Sequence, residues 1–298
     1  MSYRIGLMTW LYSPQRYPIE DAITKLSNIG VTIIGLDGAR TQLDPRFLPS
    51  QDLLTRLHKL SEKLGVEYYQ MHSCHGGSSG MTPNVYGQFC CAPVDIANPN
   101  DEERRFAVRA TIKQVAYCSQ IGCSRLTVHP GSGYEESSEL KDRLVKSYRK
   151  ICKAAEKYGV EILIENLAGQ IYCSRVDEIL DLIEKIGTKN LGILLDTGHT
   201  ALSKLDLSDE VKKAGSLLQG LHCHDNDGKK DLHLVPVPGR GVIDWNAFFE
   251  VLIDINYRGP FMIEVFGGDS VKGIPNRPDI PLKEIRKLPE RFPILTFN

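Results

Sequence analysis

Eight short runs of β-forming residues, each followed by a stretch with helical spacing, constrain this chain more than any other feature. They are Tyr3–Thr9, Thr32–Leu36, Val66–His72, Arg125–His129, Val160–Glu165, Leu191–Asp196, Leu217–His222 and Phe261–Val265. Each is largely continuous in apolar character rather than alternating, the pattern of strands covered on both faces. The stretches between them carry helix signals. Pro18 opens the first, with Glu20 and Asp21 near its positive end. Ser50 caps the second, in which Leu53, Leu54, Leu57, Leu60 and Leu64 recur at helical spacing. Asp101–Gly122, Ser137–Gly159 and Ser174–Gly187 each finish on a glycine, where a helix stops, and Asp244–Asn256 and a short Pro281–Leu288 follow. This alternation predicts an α/β fold, a single (β/α)8 barrel with its site at the C-terminal ends of the strands. No linker-like tract or composition break divides residues 1–298, and Gly-Val recurs before strands at Gly30, Gly65 and Gly159 as a repeated unit would have it.

At 298 residues the chain is long enough to bury a large core without disulfides. Its 36 Lys and Arg against 37 Asp and Glu leave a formal charge of −1. That balance argues against a nucleic-acid or anionic-membrane partner. The N-terminus MSYRIGLMTWLY lacks the pattern of a signal peptide, and no apolar run approaches the roughly 18 residues of a membrane span. A cytoplasmic location is expected, with the eight cysteines as reduced thiols. Cys74 and Cys223, each beside a strand end, are candidates for oxidation.

Six of the apolar runs end in a metal-ligand type: His72, His129, Glu165, Asp196, His222 and Glu264. Parallel barrel strands bring such ends to one face. Carboxylate oxygen and neutral imidazole nitrogen are ligands for hard or borderline divalent metals. Glu165, Asp196, His222 and Glu264 give three oxygens and one nitrogen, a set for manganese that magnesium, cobalt or zinc also fits. Asp196-Thr197-Gly198-His199 places Asp and His three apart at the start of a strand-to-helix turn, facing one cavity. Helix capping by Asp196 or Thr200 is the plainer reading of that turn.

The stretch LHCHDNDGKKDLHLVPVPGRGVIDW is the most unusual. His222 and His224 alternate, so an extended backbone points both the same way. Asp231 and His233 form a short Asp-x-His pair, whereas Asp225, Asn226 and Asp227 read as a solvated polar loop. Arg240, between Pro238, Gly239 and Gly241, is suited to a substrate phosphate or carboxylate, or equally to a neighbouring acid. Trp10, just past the first strand, either stacks on a sugar face or packs at the rim. The connection from Ser73 to Asn100, with His75, Gly76, Gly77, Ser78, Ser79 and Gly80, is long enough to act as a substrate-covering lid.

From the first strand to Glu264, and most strongly in IENLAGQ, LLDTGH and HCHDND…DLH…PGRGVIDW, the chain resembles the xylose isomerase-like barrel superfamily. That group holds sugar and sugar-phosphate isomerases and epimerases, including ketose 3-epimerases and inositol-catabolism enzymes, and the second family of apurinic endonucleases. The resemblance to the isomerase and epimerase branch implies one divalent metal on Glu165, Asp196, His222 and Glu264. The endonuclease branch adds ligands that match His72, His129, His199, Asp231 and His233, giving three metals. Endonucleases of this type typically have Cys at the position of Gly198 and Asn at that of His224, and a Tyr-Leu-Ile-Asn stretch that is absent here. Those departures favour the isomerase and epimerase branch.

The resemblance implies a carbohydrate substrate, a homo-oligomer, and proton abstraction and return through a metal-stabilised enediolate. Glu165 and Glu264 would be the proton-transfer pair and His199 would polarise a substrate oxygen, with Trp10 and Arg240 as substrate contacts. The alternatives are a multi-metal hydrolase of the endonuclease type, a polyol dehydratase or lyase starting from the same proton abstraction, and a non-catalytic sugar-binding barrel.

Overall fold

The computed structural model describes residues 2–12, 17–39, 41–46, 49–74, 94–267 and 277–297. In chain order its first half comprises β1 (Tyr3–Met8), α1 (Ile19–Ser27), β2 (Ile33–Asp37), α2 (Gln51–Leu64), β3 (Glu67–His72), α3 (Asp101–Ile121), β4 (Arg125–Val128) and α4 (Ser138–Tyr158). The second half comprises β5 (Glu161–Glu165), α5 (Val176–Ile186), β6 (Leu191–Asp196), α6 (Thr197–Leu202), α7 (Leu207–Ala214), β7 (Leu218–His222), α8 (Trp245–Asp254), β8 (Phe261–Ile263), α9 (Asp279–Ile285), α10 (Leu288–Arg291) and β9 (Leu295–Thr296).

The strands lie in the order β7-β6-β5-β4-β3-β2-β1-β8, paired in parallel. The two outer strands of that order meet at one parallel bridge, Cys223↔Ile263. There the Cys223 N–H donates to Met262 O at 2.7 Å and the Glu264 N–H to Cys223 O at 3.2 Å. The result is a nearly closed (β/α)8 barrel with helices outside. β9 adds to the start of β1, pairing Tyr3 with Leu295.

The continuous apolar character of the strands has the expected cause. β2 and β6 are buried at every residue, because helices cover one face and the barrel interior the other. The large core lies between strands and helices, while Met8, Ile33, Tyr69 and Met262 form a separate cluster. A Cβ at Gly35 would lie 2.1 Å from Met8 Sδ, so that glycine makes room for the thioether.

Two departures from regular pairing decide which residues reach the site. The register skips Tyr69 in β3, where Ile34 faces Tyr68 but Gly35 faces Gln70, and skips Gln219 in β7, where Ile193 faces Leu218 but Leu194 faces Gly220. Tyr68 and Met71 therefore both belong to the outer core, as do Leu218 and Leu221, at a spacing of three instead of two. Each bulge resets the alternation and turns His72 and His222 toward the barrel axis. The Tyr69 hydroxyl donates to Gln219 O at 2.9 Å, tying one bulge to the other.

The helix starts follow the sequence signals closely at Ser50, whose Oγ accepts the Leu53 N–H at 3.2 Å. Three points differ. Between β6 and β7 the sequence signals give only a helix start at Asp196 or Thr200; Asp196 caps the short α6, and α7, capped by Asp206, follows it. The expected helix at Pro281–Leu288 is two pieces, α9 and α10. The fifth helix is capped at Arg175 rather than Ser174. Cys74, Cys118, Cys123, Cys152, Cys173 and Cys223 are free and buried, and Cys90 and Cys91 lie outside the described residues. Burial pushes the thiols of Cys74 and Cys223 well above their usual value, which disfavours the reactive thiolate. No helix among the described residues is long and apolar enough to cross a membrane.

Candidate metal centre

The six strand-end residues arrive at one rim. His72, Glu165, Asp196 and His222 are the last residues of β3, β5, β6 and β7, and His129 and Glu264 lie one residue past β4 and β8. Their side chains are almost wholly buried, His129 being the most open at 13%. Glu165 stands at the centre. Its Oε1 lies 2.9 Å from His222 Nδ1, and its Oε2 lies 3.1 Å from both His72 Nε2 and His129 Nε2. Glu264 Oε2 lies 3.3 Å from the same His222 nitrogen. Ligand atoms of Glu165, Asp196, His222 and Glu264 all fall within 4.8 Å of one another.

The tautomers show what this arrangement awaits. His72 Nδ1 lies 2.8 Å from Ser73 O, His199 Nδ1 lies 2.9 Å from Asn166 O, and His233 Nδ1 lies 3.1 Å from Glu264 O. A carbonyl only accepts, so each Nδ1 carries a hydrogen, and the ring in its neutral form offers Nε2 as a lone pair. For His72 that lone pair faces Glu165 Oε2, which is buried with no hydrogen-bond partner. For His233 it faces Asp231 Oδ2 at 3.2 Å. Imidazoles anchored through one nitrogen to the main chain, with the other aimed at a carboxylate, are the usual support of metal ligands. The residues present therefore fit a divalent cation, and the four-residue group of Glu165, Asp196, His222 and Glu264 joins three carboxylates to one imidazole.

Electrostatics separates the two glutamates. Burial alone would raise Glu165, but the adjacent His222, His129 and His72 hold its carboxyl well below the usual range. Glu264 is pushed well above it by burial and by the charges of Glu165, Asp196 and Asp231. Burial opposes the charge on His72, His129 and His199. At His72 the adjacent Glu165 outweighs it and raises the pKa, whereas at His129 burial prevails and lowers it. His199 is raised in the same way by Asp196, Glu165 and Asp231.

A cavity of about 150 Å3 opens onto this cluster, lined by Trp10, His72, His129, Glu165, His199, Asp231, His233, Glu264 and Phe266. Trp10 stacks on Phe266 at 4.9 Å between ring centres and tilts against His72 at 5.6 Å. Arg240 is not brought in. It is exposed on the loop before α8 and does not line the cavity. Asp196 does cap α6, accepting the His199 N–H at 2.7 Å, so capping and a place in the cluster coexist in one side chain.

The expectation of a solvated loop fails for Asp225 and Asn226, which are buried, and holds for the exposed Asp227. Asp225 accepts hydrogen bonds from the N–H groups of Asn226 and Val242 and from Trp245 Nε1, and so clamps the loop that carries Asp231 and His233. Sequence reasoning also passed over Gln70, whose side-chain nitrogen is placed 2.8 Å from His222 Nε2. Its position two residues before His72 on one strand was the available signal. Asn166 was missed as well; its amide bridges β5 and β6, accepting the Asp196 N–H at 2.7 Å. Residues 75–93 of the proposed lid, His75 among them, lie outside the described residues.

Comparison with known proteins agrees with this geometry. The model of the family described as xylose isomerase-like TIM barrel matches residues 23–291. A D-psicose 3-epimerase of Enterocloster bolteae is 32% identical over 127 residues, 42% of this chain and 40% of its own length. An endonuclease 4-like protein of Thermoplasma volcanium is 26% identical over 182 residues, 58% of this chain and 61% of its own. The chain thus spans between 40% and 61% of these two curated relatives. The crystal structure of a D-psicose 3-epimerase with D-tagatose, from Clostridium cellulolyticum, superposes with a TM-score of 0.71 at 19% identity, covering 88% of this chain and 85% of that one.

Proposed function

The chain belongs to the xylose isomerase-like TIM barrel family, and from that premise we propose that it is a divalent-metal-dependent isomerase or epimerase of a small sugar, sugar phosphate or keto-polyol. The observation that carries the reading is the pair of buried glutamates flanking one imidazole at the barrel rim, with opposed protonation preferences. Glu165, Asp196, His222 and Glu264 would hold the cation, with manganese the first candidate. What a divalent cation supplies there when bound is Lewis-acid polarisation of adjacent substrate oxygens.

The chain's own residues do the rest. Glu165, kept ionised by three histidines, is the base that removes the proton from the carbon beside the carbonyl. Glu264, the second carboxyl beside His222, returns a proton to the carbon skeleton. Return to the same carbon from the other side inverts it, and return to the neighbouring carbon moves the carbonyl. His199 presents Nε2 to the cavity beside these groups and Trp10 supplies an apolar wall for a sugar ring. The proposal draws support from the epimerase named among the relatives.

The test is exchange of solvent deuterium into a panel of ketoses, keto-inositols and their phosphates. Exchange in the wild type and its loss, by about 100-fold or more, in both Glu165→Gln and Glu264→Gln are expected. Substantial turnover in both variants would defeat the assignment. A second reading, a multi-metal phosphodiester hydrolase, is favoured by the triangle of His72 Nε2, His129 Nε2 and Glu165 Oε2, with sides of 3.1, 3.1 and 3.2 Å. Near three zinc ions per chain together with nicking of abasic DNA would establish it instead.

A further inference from the structure

His224 lies beside the metal centre, and the proposed reaction gives it no role. It is fully buried, and its Nε2 lies 3.0 Å from both carboxylate oxygens of Asp196. Its backbone is pinned at both ends by one hydroxyl, since Thr197 Oγ1 donates to His224 O at 2.7 Å and accepts the His224 N–H at 3.1 Å. The other ring nitrogen, Nδ1, is buried with no partner. That pattern fixes the tautomer, because only an Nε2–H serves the carboxylate. The space for the ring exists only because residue 198 is glycine: a Cβ there would lie 2.0 Å from Cε1 and 2.4 Å from Nδ1.

The ring also packs closely on one further candidate ligand. His224 stacks on His233, with ring centres 3.9 Å apart and planes 11° from parallel. His233 holds a left-handed backbone, φ 47°, a conformation that persists in a non-glycine residue only where its surroundings impose it. The His199 ring centre is 6.1 Å from that of His224, with the two planes nearly perpendicular. An imidazole binds a metal in the plane of its ring, so two rings stacked in parallel at this distance do not share one ion. Although His224, Asp231 and His233 are close in space, they are not arranged to chelate together.

We propose that His224 is a positioning residue that orients Asp196 toward the primary centre. The inference rests on the metal-dependent reading above. The test is manganese binding to the full chain, with stoichiometry from elemental analysis and affinity from calorimetry, for wild type, His224→Ala, His224→Gln and Gly198→Ala. His224→Ala should bind the ion about 10- to 100-fold more weakly, while His224→Gln, which keeps an N–H at the Nε2 position, should stay close to wild type. Gly198→Ala should weaken binding by displacing the ring, and should add nothing further in a His224→Ala background, because both changes break one contact. Thermal melts of the metal-free variants verify folding, and a variant that does not fold is replaced by His224→Asn, which lacks the reach and should behave as His224→Ala. Unchanged affinity in His224→Ala would overturn the proposal. Absence of sugar turnover with these metal data intact would instead remove the epimerase reading and leave the role of His224 standing.

Discussion

At the scale of single residues, identical chemistry acquires opposite tendencies from its surroundings. Glu165 and Glu264 are both buried carboxyls at strand ends, yet three imidazoles surround the first and three carboxylates influence the second. The consequence is a stability that depends on pH in the metal-free protein. Glu264 keeps a proton in the fold that it loses on unfolding once the pH exceeds its ordinary value of 4.5. Between that value and its raised one the folded state binds more protons, so stability falls as pH rises. Glu165, being lowered, acts in the other window, where its stabilisation is lost as pH drops below 4.5. Thermal melts of chelator-treated protein from about pH 5 to about pH 8 should therefore show a falling midpoint, with a shallower fall in Glu264→Gln. Equal slopes for the two proteins would place the titrating group elsewhere.

At the scale of elements, short-range chemistry decides where each helix begins and ends, and that in turn fixes where the following strand delivers its ligand. Asn100 caps α3 by accepting the N–H groups of Glu102 and Glu103. Gly65 ends α2 at φ 63° and leads within two residues into β3, which carries Gln70 and His72. A side chain at Gly65 would meet nothing within 4 Å, so Gly65→Ala isolates the backbone term. It is expected to lose about 1–2 kcal/mol in urea denaturation with little change in metal affinity. A variant as stable as wild type would mean that the turn relaxes freely. Asp225 shows the same logic in a loop: its buried carboxylate gathers donors from Asn226, Val242 and Trp245, and the chain between them holds Asp231 and His233 at the cavity.

At the scale of the whole molecule, closure of the barrel gathers ligands from β3, β4, β5, β6, β7 and β8 into one space, which no two or three neighbouring strands achieve alone. Carboxylates at Glu165, Asp196 and Glu264 stand close enough to repel one another, so a cation bound among them would add to the stability of the fold. Adding manganese at about 100 times its dissociation constant should stabilise the chain by about 2.7 kcal/mol, and chelation should reverse the gain. A thermal midpoint indifferent to both would argue against a resident cation.

Most of this architecture was legible in the chain itself. Continuous apolar runs ending in His, Asp or Glu, separated by capped helical stretches, prescribe parallel strands buried on both faces, and such strands place their C-terminal residues at one rim. Burial and capping are local matters of composition and spacing, so the sequence determines them. What only the tertiary structure decided depends on contacts between distant segments. The bulges at Tyr69 and Gln219 turn His72 and His222 inward, a phase that strict alternation does not predict. The void left by Gly198 admits the ring of His224, which comes from the next strand. The exposed place of Arg240 follows from how its loop folds over Asp225, not from the residues beside it.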